Sequence, residues 1–177
     1  LDTNVIYPIV VRDILFWFAY YDLFTPKWSR HIFEEWEMVM RRHGIVEDEI
    51  QKRVMLAQRA FPDALVKNYE SLVDSLKLPD EKDRHVLAAA IKANANIIVT
   101  NNLKDFPPDY LSSFGITAKS ADNFLTDTID LNNELAVQAF REMVVNRSNP
   151  NMDEYQVLDR LRRNKLGESA NYLHTLI

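Results

Sequence analysis

Four acidic residues, Asp2, Glu35, Asp83 and Asp105, occupy positions where a carboxylate is hard to explain as surface decoration. Hard divalent cations such as Mg²⁺ take oxygen ligands, usually one or two carboxylates with water completing the shell. Three or four carboxylates meeting at one sheet edge could hold one or two such ions, and without a cation they would repel each other. Each acid also has a plainer reading. Asp2 could be a turn or cap residue beside Thr3 and Asn4, Asp83 a first-turn acid facing a helix dipole, and Asp105 part of a surface turn. The joint pattern carries more weight than any member.

The elements that must position these groups can be read from periodicity. In open α/β sheets ligands bind at the carboxyl ends of strands. Ile97-Ile98-Val99-Thr100 reads as a short buried strand, and the polar turn Asn101 to Asp105 follows it. Thr100 and Asn102 there could orient a carboxylate or a metal-bound water, or simply perform turn chemistry. At about 100° per residue, Val86, Leu87, Ala90 and Ile91 form an apolar stripe centred near Asp83, where an unpaired carboxylate is costly. Asp80 takes the cap role. On the helix with the stripe Ile32, Phe33, Trp36, Val39 and Met40, Glu34 points away. Glu35 and Glu37 lie at opposite edges, and Glu35 is favoured only slightly.

Helices are expected at about Ile9 to Tyr21, Arg30 to Arg42 with Ser29 as cap, Glu47 to Ala60, Ala64 to Leu76 and Glu81 to Asn94. A second strand is expected at Gly115 to Ala118, with a helix through Phe124-Leu125. Helices alone follow, at about Asn133 to Asn146, Asp153 to Leu161 and Glu168 to Leu176, broken at Asn149-Pro150-Asn151. Alternating helix and short apolar strand predicts a mainly parallel sheet covered on both faces. The expected organisation is one α/β domain over residues 1–126 and a helical C-terminal extension over 127–177, packed on the domain or used by a partner. A short strand is expected to precede Leu1.

Composition narrows the chemistry. The 177 residues are 47% hydrophobic and 27% charged, with no cysteine, so thiolate metal sites and disulfides are excluded and a reducing cytoplasm suits the chain. The most apolar run, Ile14 to Tyr21, is far short of the roughly 20 residues that span a bilayer. A net charge of −5 argues against nucleic-acid binding through bulk charge, so such contact needs a local patch. Candidates are Lys27, Arg30, His31, Arg41, Arg42, His43, Arg84 and His85.

The strings Leu1-Asp2-Thr3-Asn4-Val5, Glu34-Glu35-Trp36, Asp83-Arg84-His85-Val86-Leu87-Ala88-Ala89-Ala90 and Asn101-Asn102-Leu103-Lys104-Asp105-Phe106-Pro107 resemble a PIN domain of the VapC-like branch, which includes bacterial toxin ribonucleases. The likeness runs over about residues 1 to 126. It implies a three-layer α/β/α fold and cleavage of RNA by in-line attack of water activated by one or two Mg²⁺ or Mn²⁺ ions. By position it makes Asp2, Glu35, Asp83 and Asp105 the catalytic and metal-binding acids, with Asn4, Thr100 and Asn102 supporting. Asp2 and Asp83 would be the core ligands. Asn102 stands where many relatives carry an aspartate, which removes one anionic ligand. Arg30, His31 and Arg84 become candidate RNA contacts, as does His85, roughly opposite the apolar stripe. The resemblance further implies an antitoxin partner and a homodimer.

Two rivals compete. A haloacid-dehalogenase-type phosphohydrolase also opens with an aspartate after a strand, but needs another two residues on, where this chain has Asn4. A PIN fold kept as an RNA-binding or partner-binding module would have lost its metal, and Asn102 is its only support.

Overall fold

A computed structural model describes residues 1–147 and 150–177. In chain order the helices and strands are α1 (Thr3–Ile6), α2 (Ile9–Tyr20), β1 (Trp28–Ser29), α3 (Arg30–Arg42), α4 (Glu47–Ala60), β2 (Leu65–Val66), α5 (Glu70–Val73), α6 (Arg84–Lys92), β3 (Ile97–Val99), α7 (Pro108–Ser112), β4 (Thr117–Lys119), α8 (Ala121–Leu131), α9 (Asn133–Val145), α10 (Glu154–Arg163) and α11 (Gly167–Leu176). Of the break expected at Asn149-Pro150-Asn151, Asn149 lies outside the described residues. The chain gathers into two compact units, Leu1–Tyr7 with Pro26–Ser120, and Pro8–Thr25 with Ala121–Ile177. These units do not follow a linear cut at residue 126, because α2 packs against α9 and α10.

In the first unit all strand pairing is parallel. β1 pairs with β2 through Trp28–Leu65 and Ser29–Val66, and β3 pairs with β4 through Ile97–Thr117 to Val99–Lys119. Leu1 and Asp2 lie between these ladders. The Leu1 nitrogen donates to the Lys27 carbonyl at 2.7 Å, and the Asp2 N–H donates to the Val99 carbonyl at 3.1 Å. The carboxyl ends of β1 and β3 therefore open on the same edge as Asp2.

Local chemistry explains most boundaries. Ser29 caps α3 by accepting from the Ile32 N–H, and Ile32, Phe33, Trp36 and Met40 repeat at helical spacing to bury one face. Each such large apolar side chain contributes roughly 1.5–3 kcal/mol. Arg41 and Arg42 in the last turn complement the helix dipole, and Gly44, at φ 76°, reverses the chain. Glu47, Asp48 and Glu49 open α4, which buries Ile50, Val54 and Ala57.

The helix expected over Ala64 to Leu76 is not formed. Leu65–Val66 satisfies its backbone against β1, Val66 is buried, and Asn68 at φ 59° turns the chain before the single turn of α5. Cross-strand pairing outweighs helix propensity there. The Glu81 to Asn94 prediction is met by a 3-10 turn, Glu81–Asp83, running into α6. Asn94 at φ 49° ends it, while the Ala95 N–H closes on the Ala90 carbonyl at 2.9 Å. β4 starts two residues later than expected because Gly115, at φ 68°, is spent on the turn.

Among its described residues the second unit holds helices and the turns between them. Asp153 and Gln156 form a capping box at the start of α10. α11 has no cap of its own, and the α8 side chain Asp122 supplies one. Its carboxylate accepts from the Glu168 and Ser169 N–H groups at 3.0 and 2.8 Å and from the buried Ser169 hydroxyl. Among the described residues no helix is long and apolar enough to cross a membrane.

Candidate metal centre

All four acids singled out from the sequence stand in the first unit, at the carboxyl edge of its strands. Asp2 is 5% exposed and caps α1. Its carboxylate accepts from the Thr3 N–H at 2.7 Å, from the Thr100 hydroxyl at 2.7 Å and from the Asn4 amide. Thr100, fully buried at the end of β3, also accepts from the Asn4 amide and the Asn102 N–H, each at 3.0 Å. The Asn4 side-chain oxygen in turn accepts from the Asn101 N–H at 2.9 Å. Asn4 and Thr100 thus tie α1 to the turn after β3 and hold Asp2 between them.

Glu35 projects from the second turn of α3 and is half-buried. The Thr3 hydroxyl donates to Oε2, and His85 Nε2 lies 3.2 Å from Oε1. Glu37 is committed elsewhere. It and Glu47 pair with Arg41, both at 2.8 Å, which separates the two glutamates that helix projection nearly left tied.

On the other side of the cleft, Asp83 ends the 3-10 turn and Asp105 ends another, Leu103–Asp105. The Asn102 amide stands between them, donating to Asp105 Oδ2 and reaching Asp83 Oδ2 at 3.5 Å. Where a third carboxylate would add charge, this chain supplies a donor. Asp80, read from sequence as a cap, accepts from the Lys82 N–H at 2.9 Å as expected. It also does what sequence reading missed. One carboxylate oxygen from each of Asp80, Asp83 and Asp105 falls within 4.8 Å of the others. The i, i+3 spacing of Asp80 and Asp83 was the available signal. Asp2 and Glu35 lie outside this tight group.

The electrostatics bind the two sides together. Burial, then the charges of Asp2, Asp80, Asp105 and Glu35, push the Asp83 carboxyl up to about 6. Asp2 is also raised, by burial first, against the opposing effect of its donors. Glu35 goes the other way. Burial acts to raise it, but the hydrogen bonds from His85 and Thr3 outweigh that and leave it lowered. Among the described residues no lysine or arginine pairs with any of these five acids. The donor set is entirely oxygen and carries excess negative charge that no lysine or arginine side chain offsets, which fits a hard divalent cation.

The PIN domain profile matches residues 1–104. This chain belongs to the PIN domain family. Its α/β fold, with short parallel sheets and additional C-terminal helices, is that of the family. Residues 121–175 match the VapC50 C-terminal domain. A protein of Mycobacterium tuberculosis (strain ATCC 25618 / H37Rv), described as "Putative ribonuclease VapC50", is 44% identical over 105 residues, 59% of this chain and 62% of the relative. The chain thus covers less than two thirds of that relative's length. No solved structure gives a significant match.

Within this PIN domain the basic candidates separate. Arg30 is exposed and paired with Glu34 at 2.9 Å, His31 is exposed, and Arg84 is partly buried and bonded to Glu81 at 2.6 Å. His85 corrects the sequence reading. It is 6% exposed, because α6 buries every residue from His85 to Ala90 against β1, β3 and α5 and has no wet face opposite its stripe. Trp28 and Tyr69 are 2% and 1% exposed and belong to the core, so neither offers a surface to a partner.

Proposed function

We propose that this chain is a metal-dependent endoribonuclease that hydrolyses RNA phosphodiesters, and that it is the toxin of a toxin–antitoxin pair. The observation that carries the reading is the carboxylate cluster of Asp80, Asp83 and Asp105, within which burial first, and then the neighbouring acids, push the Asp83 carboxyl up to about 6. Membership of the PIN family and likeness to a relative named as a ribonuclease support it.

Asp80, Asp83 and Asp105 would hold one Mg²⁺ or Mn²⁺ ion, with Asp2 and Glu35 completing the site for it or for a second. A bound cation supplies positive charge to the scissile phosphate and lowers the pKa of a coordinated water. The chain's own residues do the positioning. Thr100, Asn4 and the Thr3 N–H fix both oxygens of Asp2. Thr3 orients Glu35, whose lowered pKa keeps it ionised to align water, and Asn102 spaces Asp83 from Asp105.

Arg30, His31 and Arg84 are the proposed RNA contacts. A neutralising antitoxin and a second copy of the chain are the proposed protein partners, with the helical region 127–177 as their candidate surface. RNA and antitoxin together assign the reaction to the cytoplasm.

The test is incubation of the purified chain with structured and unstructured RNA in Mg²⁺, Mn²⁺ or EDTA, with Asp83→Asn alongside. Cleavage should need a cation, leave 5′-phosphate and 3′-hydroxyl ends and fall by more than about 100-fold in the variant, outer-shell losses of that size being the floor for a ligand. RNA left intact in both cations but still bound would replace this reading with that of a binding module.

A further inference from the structure

His85 is buried beside the acidic cleft, yet it is not one of the family-type acids, and its surroundings define which ring nitrogen carries a proton. Ser29 is fully buried and caps α3, its Oγ accepting from the Ile32 N–H at 3.3 Å. That leaves the hydroxyl hydrogen of Ser29 free to donate to His85 Nδ1, 3.3 Å away. The Glu35 carboxylate only accepts, so the neutral ring carries its N–H on Nε2, 3.2 Å from Glu35 Oε1, and Nδ1 is left to accept from Ser29. A second imidazole covers the ring. His31 stacks on it at 5.0 Å between centroids and 28° between planes, and is itself tethered through Nδ1 to the buried Tyr69 hydroxyl at 2.9 Å.

From this geometry we propose that His85 is a positioning residue, which fixes the Glu35 carboxylate for the reaction by a donor chain running from the α3 cap through Ser29 to His85 Nε2–H. The inference rests on the nuclease reading above and deepens it. Ser29 and Glu35 are both carried by the start of α3, so His85, reaching across from α6, clamps that segment at two points. Thr3 on α1 holds the other Glu35 oxygen. Rotation of the carboxylate would need both donors to let go. Stacking by His31 blocks the ring flip that would exchange the two nitrogens. A histidine held this way acts as an outer-shell partner of a catalytic carboxylate, a role whose loss costs roughly 10- to 100-fold in activity or metal affinity.

The experiment uses the full chain and two variants, His85→Phe, which keeps a ring but removes the donor, and His85→Gln, whose amide can donate to Glu35. Cleavage of an RNA oligonucleotide, melting temperature and long-range ¹H–¹⁵N correlation of the histidine rings are measured together. In His85→Phe, kcat should fall about 10- to 100-fold with KM within about twofold. His85→Gln should recover most of the loss at a similar melting temperature. Wild-type His85 should show one locked tautomer with the proton on Nε2. Equal losses in the two variants, or losses that simply follow melting temperature, would overturn the inference. So would a proton on Nδ1 or averaging between tautomers, a result that needs no variant to fold. A wild-type chain that shows the locked tautomer but cleaves no RNA sinks the nuclease reading, and the catalytic purpose of the clamp with it. A cleaving chain with the wrong tautomer sinks the clamp alone.

Discussion

The two sides of the acidic cleft are built on opposite principles. Around Asp2 and Glu35 the protein supplies donors, from Thr3, Asn4, Thr100 and His85, so these carboxylates are oriented before any ligand arrives. Around Asp80, Asp83 and Asp105 it supplies one side-chain amide, Asn102, and leaves three carboxylate oxygens within 4.8 Å. Glu35, held by two donors, is lowered, and Asp83 is raised to about 6; the deeper burial of Asp2 outweighs its donors and raises it too. One side is a finished scaffold, and the other is a charge deficit that a cation would complete. Carboxylates at one strand edge can therefore mean different things, and the donors around them decide which.

The largest effect should come from filling that deficit. Mn²⁺ or Mg²⁺ at about a hundred times its dissociation constant should stabilise the chain by about 2.7 kcal/mol at pH 7, seen as a rise in melting temperature that EDTA reverses. A melting temperature indifferent to both cations would mean that the three-aspartate side is not their site. Breaking the scaffold side should cost nearly as much. Asp2→Ala removes a helix cap and strands the buried Thr100 hydroxyl, for a loss of roughly 2 kcal/mol measured in EDTA. Asp83→Asn, under the same conditions, should raise stability. If both substitutions moved the melting temperature the same way, the contrast between the two sides would fail.

Asn102→Asp sharpens the comparison by adding a carboxylate where the chain has a donor. It should destabilise the cation-free protein by about 1 kcal/mol and tighten Mn²⁺ binding in calorimetry. Weaker binding would show that the Asn102 amide, not the charge count, sets the affinity.

A last comparison lies in pH. The folded pKa of Asp83 lies above its ordinary value of 3.8, so folding favours the protonated form. The penalty is absent below about pH 4, grows as pH rises and is complete above about 6. Without cation, stability from this group should rise as pH falls from 6 towards 4, and Asp83→Asn should flatten that slope. Glu35 has the opposite sign. Its stabilisation is present above its ordinary value of 4.5 and fades only below it, so the two contributions occupy adjacent windows. Chemical denaturation across this range in EDTA separates them.

Much of this was legible in the chain. Asp2 and Asp105 could be placed because strand ends and polar turns have local signatures, and α3 and α4 because capping residues and apolar periodicity repeat within a few turns. The misreadings come from contacts distant in the chain. A helical projection assumes one buried and one wet face, and α6 breaks that assumption, so His85 passed for a surface residue. Leu65–Val66 is strand only because β1 lies beside it.

By itself, then, the sequence determined the family, most of the helices, the β3 and β4 strands and which four acids to watch, since these follow from residue type and spacing along the chain. Only the tertiary structure decided that Asp80 joins Asp83 and Asp105, that Glu37 is spent on Arg41, and that His85 reaches Glu35 across fifty residues. Hydrogen bonds and charges act over a few ångströms of space, and distance along the chain does not report that space.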